Sequence, residues 1–182
     1  MKLISLLEKL EYTCLQGSTD QEVKNVIYDS RKVEEGSLFV CIRGAVVDGH
    51  KFVPDVVAKG AKVLIVEEAV EAPEDVTVIL VKDTRYAMAF ISAAYFGYPA
   101  EKLKTIGITG TKGKTTTTYM VKSILENAGY KVGLIGTIEA IIGDKVIPAK
   151  NTTPESYVIQ EYFHEMAEAG CDCVVMEVSS RD

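Results

Sequence analysis

One stretch restricts the possible folds more than any other: "TIGITGTKGKTTTTYM", Thr105 to Met120. A strand-like run rich in β-branched residues, Lys104 to Thr109, meets a glycine-punctuated loop, and the loop runs into a polar-apolar pattern of helical period that ends at Gly129. Strand, glycine loop and helix in direct succession place the loop at the end of a sheet, with its amides turned toward the helix N-terminus. Gly110 and Gly113 supply the backbone freedom, Lys114 a point charge and Thr115 a hydroxyl able to reach a phosphate-bound cation. The full phosphate-loop pattern needs a glycine five residues before that of Gly-Lys, where this chain has Ile108, so the match is to the shorter form G-x-x-G-K-T. The loop predicts a nucleotide triphosphate as ligand.

The rest of the chain reads as α/β on both sides of this element. Before it, strands are expected at 24–30, 37–42, 62–68 and 76–81, and helices at 2–10, 52–61 and 84–96, with Asp83 as the N-cap of the last. That helix would bury Ala87, Phe90, Ile91, Ala94 and Tyr95. "GYPAEKLK" (97–104) has the composition of a connection between domains, which suggests domains at 1–100 and 101–182. After the loop come a strand at 131–137 and a hairpin at 138–149 turning at Gly143-Asp144. A helix follows, capped by Thr153, with Pro154 at its first position and Val158, Ile159, Tyr162, Phe163 and Met166 as its apolar stripe. The last strand, "CDCVVMEV", carries Glu177 in an otherwise apolar run, where a magnesium site beside a phosphate loop wants a carboxylate.

Charge narrows the function. A net charge of -6 argues against a broad nucleic-acid face, and an anion nest with one lysine still accommodates a small anionic ligand. No uncharged apolar run reaches membrane-spanning length and no signal segment is legible at the N-terminus, so a cytoplasmic protein is expected. The four cysteines show no metal-ligand spacing, and Cys171 and Cys173 read as buried strand residues in a reducing compartment. His50 and His164 stand alone and are not expected to hold metal.

"GITGTKGKTTT", "NTTPE" (151–155) and "MEVSS" (176–180), in this order, resemble the central domain of the Mur ligases of bacterial peptidoglycan synthesis. "YDSRKVEEGSLFVCIRGAVVDGHKF" (28–52) is similar to the N-terminal substrate domain of the MurE-type members, which add the third amino acid to UDP-N-acetylmuramoyl-L-alanyl-D-glutamate. The resemblance implies an α/β substrate-binding domain followed by a truncated P-loop-type α/β ATP-binding domain. It implies ATP and Mg2+ as cofactors, with Gly110, Thr111, Lys112, Gly113, Lys114, Thr115 and Thr116 around the nucleotide. Thr115 and Glu177 would hold the metal, and Lys114 and Glu177 would be the catalytic groups. Ser30, Ala45, Val46 and Val47 would line the UDP-sugar site, and Asn151, Thr152, Thr153 and Ser179 would take the substrate's peptidyl end. The partners implied are that UDP-sugar peptide and an amino acid, with no nucleic acid or membrane, and a monomer at full length. Members commonly carry histidine or glutamine after "EVSS", where this chain has Arg181. They also have a third domain and a modified lysine in the central one, so these 182 residues are expected to be an N-terminal part, inactive in isolation. Two other readings remain: a non-catalytic UDP-sugar or nucleotide module, and a different amide ligase such as the MurF type or a polyamide synthetase.

Overall fold

The computed structural model describes residues 1–44 and 47–179 of the chain, as two compact units, Met1–Tyr95 and Phe96–Asp182. In the first, Leu3–Leu7 forms helix α1, and strand β1 (Thr13–Gln16) follows. Then come β2 (Asn25–Ile27), β3 (Ser37–Val40), helix α2 (Val53–Ala58), β4 (Val63–Val66), β5 (Thr77–Leu80) and helix α3 (Thr84–Tyr95). The sheet order is β1-β5-β4-β3-β2, with β2 to β5 parallel and β1 antiparallel to β5. Strands β3 and β4 are buried along their whole length, as expected of parallel strands covered on both faces. Phe39, Cys41, Leu64, Val66 and Val78 pack with Val53 and Val56 of α2. Strand alternation sends Leu38, Val40, Val63 and Ile65 to the opposite face, where α1 and α3 pack together. Burial pushes the Cys41 thiol up to about 12.

Helix α3 starts as its cap predicts, with the Tyr86 amide donating to Asp83 Oδ1 at 2.9 Å. Its buried face is wider than the periodic pattern suggests. Met88 and Ser92 are fully buried, whereas Phe90 is half-buried and stacks on Tyr86 with centroids 4.8 Å apart. Strand β1, with its largely exposed sequence Thr-Cys-Leu-Gln, carries no strand signal of its own and exists because β5 offers a free edge.

The second unit comprises β6 (Lys104–Ile108), helix α4 (Lys114–Asn127), β7 (Val132–Ile135), β8 (Glu139–Ile142), β9 (Lys145–Pro148), helix α5 (Ser156–Glu168) and β10 (Cys173–Glu177). Its sheet runs β6-β10-β7-β8-β9. The last strand in sequence is therefore inserted between the first two, parallel to both, while β8 and β9 form the antiparallel hairpin turning at Gly143-Asp144. Helix α4 covers one face of β10, where Val132, Cys173 and Val175 meet Ile106, Ile108, Val121 and Leu125. Helix α5 covers the other face, where Phe163 and Met166 pack on Leu103, Ile135 and Val174. The period of two puts Glu177 on the same face as Cys173 and Val175, toward α4.

Two expectations change here. The segment 97–104 is no free linker: Pro99–Lys102 forms a 3-10 turn packed on α5, and Leu103 enters the core of the second unit. Helix α5 begins at Ser156 rather than at the Thr153-Pro154 signal, with Glu155 as its N-cap residue. The Thr153 hydroxyl bonds instead to the Glu177 carbonyl and Ser179 at the end of β10.

Candidate functional site

The loop between β6 and α4 is exposed from Thr109 to Gly113, which includes Thr111 and Lys112. Gly110 has φ 150 and Gly113 φ 78, so both adopt backbone that L side chains rarely take. Gly113 is the N-cap residue of α4 without a side-chain capping bond, so the first-turn amides, including that of exposed Thr116, line the loop's mouth. Lys114 folds its ammonium back over this mouth, donating to the Gly110 carbonyl at 2.8 Å. Amides, a helix N-terminus and one cation converge on one point, the arrangement that holds a polyphosphate.

Thr115, on the inward side of the same helical turn, reaches the last strand. Its hydroxyl donates to Glu177 Oε2 at 3.0 Å. Glu177 is 1% exposed, and among the described residues the other donors to it are uncharged: the Thr137 amide to Oε1 at 2.9 Å and the Thr137 hydroxyl to Oε2 at 3.0 Å. The hydroxyl-carboxylate oxygen pair suits a hard divalent cation. Thr115 and Glu177 thus fit Mg2+ by donor chemistry.

Beside this pair lies an open cleft of about 530 Å³ lined by Thr137, Lys150, Asn151, Thr152, Thr153 and Ser179. The Thr153 hydroxyl donates to the Glu177 carbonyl at 3.1 Å and accepts the Ser179 amide at 3.0 Å, with the Ser179 hydroxyl also 3.0 Å away. This ties the 151–153 loop to the end of β10, which explains why Thr153 does not cap α5. Sequence reasoning passed over Thr137 and Lys150; a threonine after "GLIG" and a lysine before "NTT" offer no pattern of their own. It also passed over Tyr119, one turn beyond Thr115 on α4, whose hydroxyl donates to Glu139 Oε1 at 2.8 Å. Burial, then the Glu139 carboxylate and nearby Glu177, push this phenol up to about 12.

In the first unit, Ser30 and Val47 follow β2 and β3, at the carboxyl ends of two parallel strands, where ligands of open α/β sheets bind. Ser30 opens a 3-10 turn that Asp29 caps through the Arg31 amide, and Arg31 also pairs with Asp29 at 2.7 Å. These hydrogen bonds hold the Asp29 carboxyl down to about 2. Lys59 donates to the Ser30 carbonyl at 3.0 Å. Val47 is 48% exposed and its carbonyl accepts the Gly44 amide at 2.9 Å. Ala45 and Val46 lie outside the described residues, as does Arg181.

Asp48, His50 and Glu68 bring potential ligand atoms within 4.8 Å of one another. His50 Nε2, however, accepts the Glu67 amide at 2.9 Å, so Nδ1 carries the proton and donates to Asp48 Oδ1 at 2.6 Å. With both ring nitrogens engaged, His50 is a strut between the loop after β3 and the end of β4. Among the described residues, no helix is long and apolar enough to cross a membrane.

Comparison with known proteins agrees with this geometry. The Mur ligase middle domain matches residues 108–182, and the Mur ligase family catalytic domain matches residues 22–96. UDP-N-acetylmuramoyl-L-alanyl-D-glutamate--2,6-diaminopimelate ligase of Clostridium perfringens is 54% identical over 180 residues, 99% of this chain and 37% of that protein. Of solved structures, MurF from Acinetobacter baumannii is 27% identical with a TM-score of 0.66, over 98% of this chain and 36% of that one. A UDP-N-acetylmuramoyl-L-alanyl-D-glutamate--2,6-diaminopimelate ligase structure has the same fold, at TM-score 0.78 and 22% identity, over 98% of this chain and 36% of that one. The chain thus spans a little over a third of the length of these relatives. With both of its units matched and a relative 54% identical across nearly every residue, the chain belongs to the Mur ligase family, of which it carries the N-terminal and middle domains.

Proposed function

We propose that the full-length protein is an ATP-dependent, amide-forming ligase that joins 2,6-diaminopimelate to UDP-N-acetylmuramoyl-L-alanyl-D-glutamate. The observation that carries the reading is the contact between the phosphate loop and the last strand: Thr115 on Glu177, with the Thr152-Thr153-Ser179 cleft adjoining the same carboxylate. The name of the 54% identical relative supports the choice of substrate and amino acid, over the MurF-type alternative whose solved structure is 27% identical.

In this reading the loop amides of Gly110 to Thr116 hold the triphosphate, and the Lys114 ammonium balances charge on the transferring phosphoryl group. Thr115 and Glu177 hold Mg2+, which when bound neutralises the phosphate oxygens. Asn151, Thr152, Thr153 and Ser179 hold the peptidyl end so that the D-glutamyl side-chain carboxylate faces the γ-phosphorus. Carboxylate oxygen bonds to phosphorus as ADP leaves, giving an acyl phosphate. The amine then attacks the acyl carbon, phosphate departs, and the amine loses a proton. The chain's part is positioning and electrostatics, a role for which effective molarity supplies about 7–11 kcal/mol in well-oriented systems. Ser30 and residues 45–47 take the UDP moiety, in a cytoplasmic setting where UDP-linked precursors are made.

The test incubates the full-length protein with magnesium-ATP, UDP-N-acetylmuramoyl-L-alanyl-D-glutamate and single amino acids, following phosphate release and product mass. A product heavier by one diaminopimelate residue, formed only with ATP, is expected. Absence of product with every amino acid, or equal turnover with a dipeptide on the UDP-tripeptide, would overturn the proposal.

A further inference from the structure

Glu177 is held mainly from a turn that no motif marks. Strand β7 ends at Ile135 and β8 begins at Glu139, and the intervening turn closes through the Gly136 amide on the Glu139 carbonyl at 3.0 Å. Glu139 is pinned by the Tyr119 hydroxyl at 2.8 Å, on the same face of α4 as Thr115. The turn is thereby fixed against the helix that carries the phosphate loop. It presents Thr137 to Glu177 at both carboxylate oxygens, amide to Oε1 and hydroxyl to Oε2. Gly136 permits the approach: a Cβ there would lie 2.6 Å from Glu177 Oε1.

Proton accounting gives the network a direction. A carboxylate only accepts, so the single Thr137 hydroxyl proton goes to Glu177. The Thr137 oxygen then accepts from the Thr152 hydroxyl, 3.2 Å away in the neighbouring cleft. Among the described residues, Thr115 and Thr137 fill three of the roughly four lone-pair sites of the carboxylate, which leaves about one, on Oε1.

We propose that Thr137 is the positioning residue for the Glu177 carboxylate: it fixes which lone pair a divalent cation meets and links the metal oxygens to Thr152 of the adjoining cleft. This rests on reading the loop and Glu177 as an ATP-magnesium site. Partners that orient a metal ligand typically contribute about 10–100-fold in metal affinity, which sets the size of the effect.

The experiment titrates Mn2+ into the full-length protein holding a non-hydrolysable ATP analogue and reads bound metal by electron paramagnetic resonance. Thr137→Val, which keeps shape and loses the hydroxyl, is expected to weaken Mn2+ binding at least 10-fold, on the order seen for such orienting partners, and Thr137→Ser to restore it to within about 3-fold of wild type. Gly136→Ala is expected to weaken Mn2+ as well, by moving the carboxylate while the Thr137 hydroxyl remains. Analogue affinity without metal is expected to stay at the wild-type value, which a general structural role would not allow. Should Thr137→Val fail to fold, Thr137→Ala set against Thr137→Ser makes the same comparison. Undiminished Mn2+ affinity without the hydroxyl, or no recovery with serine, overturns this inference and leaves the proposed function standing. A wild-type protein that holds no Mn2+ with the analogue overturns both.

Discussion

Replacing Lys114 by alanine removes the ammonium that folds back over the mouth of the loop. Its ammonium sits 2.8 Å from the Gly110 carbonyl, over an exposed loop that also carries Thr111 and Lys112. A unit charge about 4 Å away is worth about 4 kcal/mol at the effective dielectric of about 20 found near protein surfaces. A hydrogen bond to a charged group is worth about 1.5–3 kcal/mol by mutation. Water entering the vacated space recovers part of either figure, so we take about 3 kcal/mol, which is on the order of 100-fold in kcat/KM for ATP. Because Lys114 is only half-buried, the melting temperature is expected to change little. The affinity for the UDP-substrate is expected to stay within about 2-fold, well under the 1.4 kcal/mol that a tenfold change represents, since Ser30 and Val47 belong to the other unit and Lys114 does not line the cleft at 150–153 that would take the peptidyl end. The assay is steady-state phosphate release with ATP varied at saturating UDP-substrate, beside direct titration of the UDP-substrate. A Lys114→Ala enzyme within about 3-fold of wild type, against the 10²–10³ typical of such charge stabilisation, would refute the phosphate assignment of the loop. Equal losses for both ligands would point to misfolding instead.

Three other perturbations read different parts of the molecule. Ser30→Ala is expected to raise the UDP-substrate constant by about 1.5–3 kcal/mol, one hydrogen bond to a charged group, with the ATP constant unchanged; equal weakening of both would reduce Ser30 to a turn former. Gly133→Ala would drive its Cβ into the Met166 sulfur and is expected to cost about 1–3 kcal/mol in urea unfolding, part of which the double variant with Met166→Ala should restore; strict additivity would sink this contact. Asp29, held at about 2 by Arg31, contributes stability that is full above the ordinary carboxylate range and lost as pH falls through about 2. Arg31→Ala is therefore expected to move the Asp29 titration, followed by carboxyl NMR, upward toward 4, and an unmoved titration would contradict the ion pair as its cause.

What the sequence alone determined is local. The glycine loop between a β-branched run and a helical pattern could only be a strand-loop-helix turn, because Gly110 and Gly113 are the residues that tolerate the backbone found there. The hairpin at Gly143-Asp144, the Asp83 cap and the Phe163-Met166 face were legible for the same reason: each depends on residues within a few positions of one another. Sheet order was not legible, since nothing within "CDCVVMEV" says that this strand inserts between β6 and β7, nor within Thr13–Gln16 that it pairs with β5. Those choices are made by long-range pairing, where the gain is shared between segments far apart in the chain. The candidate site divides along the same line. Lysine, glycine and a lone glutamate in an apolar run announce themselves, because their chemistry is costly where it serves no purpose. A threonine hydroxyl accepts and donates with whatever the fold brings near. Thr153 accordingly left its expected cap for Glu177 and Ser179, and Thr137 took the Glu177 carboxylate; only the tertiary structure could assign either, because the partners lie 24 to 40 residues away.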